Sequence, residues 1–405
     1  MDPIFGLGIV VVVGSIFGEL AQKVKLPRVI GFILAGIFLN PDLTGFMPHT
    51  AAKSTNFVIN LALCFITFSI GGTLSLVKLK KLGKGILWIT IFEAQTAFLF
   101  VTLGFLAIAQ FFIKGPAIGW LNTYIPFAVL IGCIASPTDP TPSLAIAHEY
   151  KLEGDVTSTI MGVSALDDAM GIINFCLAMV IASSFALHTK FSLYNSIGVP
   201  FIMILGSLAL GALFGFILNV ISLFLNKKTE GALITAIFGL LAVCFGITNT
   251  LNWEALLATM AMGIIVVNFN PIHDKIFKVL ERYTEELIFL MFFVVSGMQL
   301  NFAVIPTASV MIIFFVFLRI FGKTTGTFLG ATISGSSDKV KKFTSAGLIP
   351  YGGIVVGLGL LMKQEPAFEG FADIIIAVVI GGTILSEIIG SVCVKLALKG
   401  AGEIK

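Results

Sequence analysis

The chain has 405 residues, of which 57% are hydrophobic and 12% charged, with a mean hydropathy of +1.04. A soluble domain carries about 25% charged residues, so this composition excludes a soluble globule, and a disordered chain would need low hydrophobicity and high net charge. The balance of 25 basic against 22 acidic residues predicts no nucleic-acid partner; a polytopic helical protein whose partner is the lipid bilayer remains.

Apolar runs such as 9–17 and 310–318 are continuous, where a membrane β-barrel would alternate polar and apolar residues. Windows of about 20 apolar residues predict thirteen spans: 3–21, 28–40, 56–76, 86–113, 123–147, 156–186, 195–225, 231–248, 254–269, 284–300, 305–331, 344–362 and 371–397. The N-terminus lacks a basic stretch followed by a small-residue cleavage site, which predicts that the first span is retained. The short tail after span 13 predicts no appended cytoplasmic domain. Cys64, Cys133, Cys176, Cys244 and Cys393 fall inside apolar runs without metal spacing and read as small core residues.

Charge sets the direction. Alternate loops, starting after span 1, hold Lys23, Lys25, Arg28, Lys78, Lys80, Lys81, Lys84, Lys151, Lys227, Lys228, Lys275, Lys278, Arg282, Lys339, Lys341, Lys342, Lys395, Lys399 and Lys405. The opposite loops hold Lys53, Lys114, Lys190 and Lys363. The positive-inside rule then puts the N-terminus outside and the C-terminus in the cytoplasm. Losing one span would invert every later loop, so the asymmetry also supports the odd count.

A charge at mid-bilayer costs about 2.5–3.5 kcal/mol on insertion scales, so those present face a cavity or one another. Here they are Glu93 in span 4, Asp139 in span 5, Asp167 and Asp168 in span 6, Arg319 and Lys323 in span 11, and Glu387 in span 13. In span 5, Pro137, Pro140 and Pro142 lie within six residues. Each removes a backbone donor and clashes with the preceding turn, so the helix must break, and broken backbone is tolerated in a membrane only where it lines a cavity or is buried in protein. The freed carbonyls with Ser136, Thr138 and Asp139 would offer hard oxygens to a small cation. In span 6, Ser164 precedes Asp167 and Asp168, which point about 100° apart on a helix. Both cannot stay ionised in apolar surroundings without a proton, a cation or a basic partner. In span 11, Arg319 and Lys323 are four residues apart on one face. Lys323 is the better titrating partner for a span-6 aspartate, and Arg319 reads as a fixed structural counter-ion for Glu93 or Glu387. In span 12, Pro350, Gly352 and Gly353 mark a second helix break.

The breaks in spans 5 and 12, the acids in spans 6 and 13 and the charges in spans 4 and 11 are all seven spans apart. An odd offset places equivalent helices in opposite orientations. This predicts inverted six-helix repeats, spans 1–6 against 8–13, a pattern of secondary transporters.

Thr138-Asp139 in a broken helix, Asp167-Asp168 in the next span and Gly322-Lys323-Thr-Thr-Gly326 further on resemble the bacterial sodium/proton antiporters and, more broadly, the monovalent cation:proton antiporter-2 family. Gly18-Glu-Leu-Ala21, Leu26-Pro-Arg-Val-Ile-Gly31 and the glycines at 347–357 add to the likeness, which covers nearly the whole chain. The resemblance implies an all-α fold in which the two discontinuous helices cross beside the aspartates. It implies scaffold and dimerisation helices over 1–76 and 231–300, core helices over 86–186 and 305–397, a linker helix over 195–225, and a homodimer in the cell (inner) membrane. It makes Asp168 the main cation ligand and proton carrier, pairs Asp167 with Lys323 in a salt bridge that opens when the cation binds, and has Thr138 and Asp139 support the crossing. Electroneutral relatives have Asn where this chain has Asp167, which implies an electrogenic exchanger. The Pro140-Thr-Pro142 run carries more proline than the family pattern.

The expected function is exchange of protons for a monovalent cation, foremost sodium, with lithium and potassium as alternatives and no cofactor. Three other classes fit less well. An aspartyl protease needs aspartates on two facing helices, a sodium-coupled organic-anion carrier has no use for paired carboxylates, and a potassium channel needs filter repeats.

Overall fold

The computed structural model describes residues 3–24, 26–45, 48, 56–113, 119–152, 154–186, 199–225 and 229–404. Lys25, Lys53, Lys114, Lys190, Lys227, Lys228 and Lys405, which helped to set the expected orientation, lie outside the described residues, as does the start of the window at 195. Sixteen of the described helices carry the argument: α1 (Pro3–Lys23), α2 (Arg28–Phe38), α3 (Asn56–Thr73), α4 (Leu76–Phe112), α5 (Ile125–Cys133), α6 (Thr141–Tyr150), α7 (Asp155–Ala186), α8 (Val199–Leu225), α9 (Glu230–Thr250), α10 (Ala255–Phe269), α11 (His273–Leu280), α12 (Glu286–Met298), α13 (Ile305–Ile333), α14 (Asp338–Gly347), α15 (Ile354–Gln364) and α16 (Ala372–Gly400). The described residues contain no strand.

Eight helices are long and apolar enough to cross a membrane, and five shorter apolar helices accompany them. Side chains such as Ile4, Ile313 and Phe224 are 67–81% exposed on the outer surface, a distribution that suits lipid and not water. The windows of spans 5 and 12 are each divided between two helices, as the prolines require. Two differences from the sequence reading have local causes. α4 starts at Leu76 and not near 86, because Gly83 at φ 79° bends the chain and lets a basic stub precede the apolar length. The short α11 lies between two apolar windows; it is amphipathic, burying Ile276, Val279 and Leu280, and too polar for a hydropathy window to find.

α4 and α13 pack along a seam of small residues. A β-carbon on Gly322, Gly326 or Gly330 of α13 would lie within 2.7 Å of backbone atoms of Ala97, of Phe92 and Glu93, and of Ile89 respectively. Backbone cannot step aside as a side chain can, so glycine at this four-residue spacing is what allows the two helices to touch. α16 packs on the same helix α13, and α5 packs against α4 and α7. The breaks between α5 and α6 and between α14 and α15 meet face to face. The Gly352 N–H donates to the Pro137 carbonyl at 3.4 Å, and the Asp139 N–H donates to the Pro350 carbonyl at 3.3 Å. The two interruptions thus satisfy part of each other's lost helical hydrogen bonding.

α7 is anchored at its start by the tail of the chain. Glu403 accepts hydrogen bonds from the Val156 and Thr157 N–H groups at 2.8 and 3.1 Å, so a carboxylate sits where the helix dipole favours negative charge.

Gly326→Leu should lower stability by about 1–3 kcal/mol through overpacking of the seam, read as a fall in detergent melting temperature. Gly239→Ala on α9, where nothing lies within 4 Å of the added carbon, should change it by less than about 1 kcal/mol. Equal effects of the two would contradict the seam.

Candidate ion site at the helix crossing

Prolines open both helices at the crossing, and the carbonyls they free are claimed by two basic side chains from α13. Arg319 donates to the carbonyls of Ala135 at 2.9 Å, Pro137 at 2.8 Å, Ile349 at 2.6 Å and Pro350 at 3.2 Å. Its guanidinium lies 4.3 Å from the centre of the Tyr351 ring, a cation–π contact, and the Tyr351 hydroxyl donates to the Ile134 carbonyl at 2.6 Å. One turn along α13, Lys323 donates to the Ser136 carbonyl at 2.5 Å and to the Thr138 hydroxyl at 2.7 Å. Arg319, Lys323 and Tyr351 are completely buried.

This arrangement revises two expectations. The broken backbone was expected to offer its oxygens to a cation, yet the carbonyls of residues 135–137 and 349–350 already accept from Arg319 and Lys323. Arg319 was expected to pair with Glu93 or Glu387, yet its hydrogen bonds go to backbone carbonyls. A planar fork of five donors suits a cluster of fixed acceptors, and four carbonyls from two crossing segments supply one.

The carboxylates divide the other way. Glu93, completely buried on α4, forms an ion pair with Lys323. Asp167, completely buried on α7, stands 3.5 Å from the same ammonium. It has the Thr138 hydroxyl within electrostatic reach, but neither of its oxygens accepts a well-formed hydrogen bond. The resemblance paired Lys323 with Asp167; the structure makes Asp167 the more distant of two carboxylates. Glu387 on α16 accepts from the Tyr351 N–H at 3.0 Å and helps to hold the second break.

Asp168 turns away from this cluster and half emerges into a cavity of about 390 Å³ that Thr138 and Asp139 also line. Its Oδ1 has no hydrogen-bond partner. Asp139 faces the same cavity and accepts from the Thr141 N–H at 2.8 Å, which steadies the first turn of α6. Gly352 completes the wall: a β-carbon there would lie 3.1 Å from Asp168 Oδ1 and 3.2 Å from the Pro137 side chain, so a larger residue would crowd the carboxylate. The neighbouring Gly353 faces Phe293 of α12. The cavity runs past Ser69 and Thr73 of α3 and past Leu280 and Thr284. Ser136, Ser164 and Asp167 do not line it; the hydroxyls of Ser136 and Ser164 are buried without hydrogen-bond partners. A second cavity of about 540 Å³, lined by Phe175, Met179, Glu254 and Gln364, does not reach Asp168.

Sequence reasoning named every charged residue that meets at the crossing but missed the contacts that Glu93 and Tyr351 make there. The glycines at 322, 326 and 330 were the available signal. They bring Lys323 and Glu93 onto helices in backbone contact, and charges of opposite sign on such helices meet.

The family described as "Sodium/hydrogen exchanger, transmembrane" matches residues 8–400. Among curated relatives, Cation/H(+) antiporter 18 of Arabidopsis thaliana is 24% identical over 80% of this chain and 40% of its own length. The chain spans about 40% of the length of the plant relatives it matches. The Na(+)/H(+) antiporter of Enterococcus hirae is 23% identical over 96% of this chain and 97% of that protein. In structure the chain is similar to the sodium proton antiporter MjNhaP1 from Methanocaldococcus jannaschii at pH 8, with a TM-score of 0.75 and 20% identity, covering 100% of this chain and 98% of that one; this likeness shows a shared fold.

Arg319→Gln leaves several buried carbonyls without their charged donor, at roughly 1–3 kcal/mol each. A large fall in melting temperature is expected, which Arg319→Lys should reverse only in part, since a single ammonium cannot reproduce the fork. Wild-type melting of Arg319→Gln would contradict the bracing role.

Proposed function

Because the chain belongs to the sodium/hydrogen exchanger family, we propose that it is a secondary transporter that exchanges protons for a monovalent cation, foremost sodium, across the cell (inner) membrane. One observation carries this reading: Asp168 lines a cavity and its buried Oδ1 has no hydrogen-bond partner, while Glu93 behind it is held against the buried Lys323. Such a carboxylate can hold a proton or a partly dehydrated alkali cation, but not both at full strength. Thr138 and Asp139, which share the cavity, would complete the binding side, and Asp167, Ser136 and Ser164 the buried side.

We assign scaffold and dimerisation roles to residues 1–76 and 231–300, core roles to 86–186 and 305–397, and a linking role to 195–225. The thirteen spans form two inverted repeats of six in this reading, and the pairing of the two breaks at the crossing supports it. With the N-terminus outside, the loop that holds Lys275, Lys278 and Arg282, from which Leu280 and Thr284 reach the cavity, lies in the cytoplasm, and in this reading Asp168 is open to that side. Moving the core against the scaffold would close this access and open the other, as in alternating access. Obligatory exchange follows if the empty site, with its acids ionised, crosses too slowly to matter. An exchange that moves net charge gains about 2.3 kcal/mol per elementary charge per 100 mV.

A potassium/proton exchanger would use the same residues. A counter-ion series in proteoliposomes, with and without valinomycin, separates the cations and reads the charge moved.

Asp168→Asn should abolish cation-driven relief of an imposed pH gradient in proteoliposomes and leave melting near wild type. Retained cation-dependent proton movement would contradict the assignment. Because protons compete for the carboxylate, the apparent cation affinity of the wild type should fall about tenfold per pH unit for each proton displaced, once the medium is acid enough to protonate the site. An affinity independent of pH would exclude competition.

A further inference from the structure

Lys323 has three donors; the Ser136 carbonyl and the Thr138 hydroxyl each accept from it, and Glu93 forms its close ion pair. Asp167 stands 3.5 Å from the ammonium, beyond ordinary hydrogen-bonding distance; neither acid has a well-formed hydrogen bond on its oxygens, and Glu93 is the closer of the two to Lys323. The difference between the two acids is built into the fold. Glu93 sits where α4 touches the glycine seam at Gly326, three residues from Lys323 on α13, whereas Asp167 projects from α7. The charged groups around Asp167 are Lys323 and Arg319 from α13, Glu93 from α4 and Asp168 beside it.

Resting on the exchange reading above, we propose that Glu93 is a positioning residue that anchors Lys323 as a permanent cation, so that Asp167, and not Lys323, releases the second proton of each cycle. With Lys323 and Glu93 as a fixed neutral pair, the protonated site holds one proton on Asp167 and one on Asp168. Binding a cation expels both: two O–H bonds break, the carboxylates keep the electron pairs, and the two protons leave to the side from which the cation came. The loaded site carries one negative charge more than the protonated site, so one net charge moves per cycle. Arg319 cannot substitute for Lys323 in this scheme, because its donors are held by the crossing carbonyls.

The test is the proton-to-cation stoichiometry, read from reversal potentials in proteoliposomes holding sodium gradients. Wild type should exchange two protons per sodium. In Glu93→Gln the freed ammonium should close on Asp167 and keep it ionised. The ratio should fall to one, and the slope of log apparent affinity against pH should halve. Glu93→Asp should restore both. The double variant Glu93→Gln/Lys323→Met removes the pair without leaving an unpaired charge; whatever its turnover, its ratio should stay at two. Were Lys323 the carrier, this double variant would fall to one proton, and that result overturns the proposal. So does Glu93→Gln holding the wild-type ratio and slope. If Glu93→Gln does not fold, the double variant decides. A wild type that moves protons at a ratio of one overturns the inference and leaves exchange standing, whereas a wild type that moves none on a sodium pulse contradicts the exchange reading itself.

Discussion

Charge balance at a buried helix crossing is the constraint on which the rest of this structure depends. Five carboxylates (Glu93, Asp139, Asp167, Asp168 and Glu387) gather around two basic side chains, Arg319 and Lys323. Ionised throughout, the group would hold a large uncompensated negative charge in an apolar interior, which folding energies of a few kcal/mol do not sustain. In the exchange reading, protons or metal cations make up the difference. The only one of the three acids nearest Lys323 that half emerges into a cavity is Asp168. Asp139 lines the same cavity, so in the exchange reading the balancing charge would arrive there.

The prolines and glycines serve that balance by different routes. Prolines at 137, 140 and 350 open the helices and expose carbonyls. Arg319 gathers those carbonyls from both segments, so the crossing is held by a buried guanidinium and two backbone hydrogen bonds. Glycines at 322, 326 and 330 let α13 approach α4 until backbones meet, which sets Lys323 against Glu93. Gly352 keeps the space beside Asp168 open. The basic residues thus stabilise the frame, and the balancing positive charge is left to arrive from the cavity.

Much of this was legible in the sequence because lipid makes residue choice strict. Apolar windows located most of the helices, three closely spaced prolines located one break and Pro350 with Gly352 and Gly353 the other, and a charge inside a span could only be functional or paired. Pairing was harder to read. Arg319 and Lys323 share a face, so spacing alone could not say which basic group would meet which acid. The answer lies in how closely two helices approach and in which carbonyls two breaks present to each other, properties of the packed pair. α11 escaped for a simpler reason: an amphipathic segment of eight residues leaves no mark on a hydropathy window.

The central claim is that a cation and protons exclude each other at Asp168. Proton release on cation binding measures this directly, without vesicles or turnover. Purified protein in weakly buffered detergent, poised at an acidic pH with an indicator dye, receives sodium chloride, and choline chloride serves as the control. The account predicts protons released in stoichiometric proportion to bound sodium. Sodium binding with no proton release at any pH would contradict it.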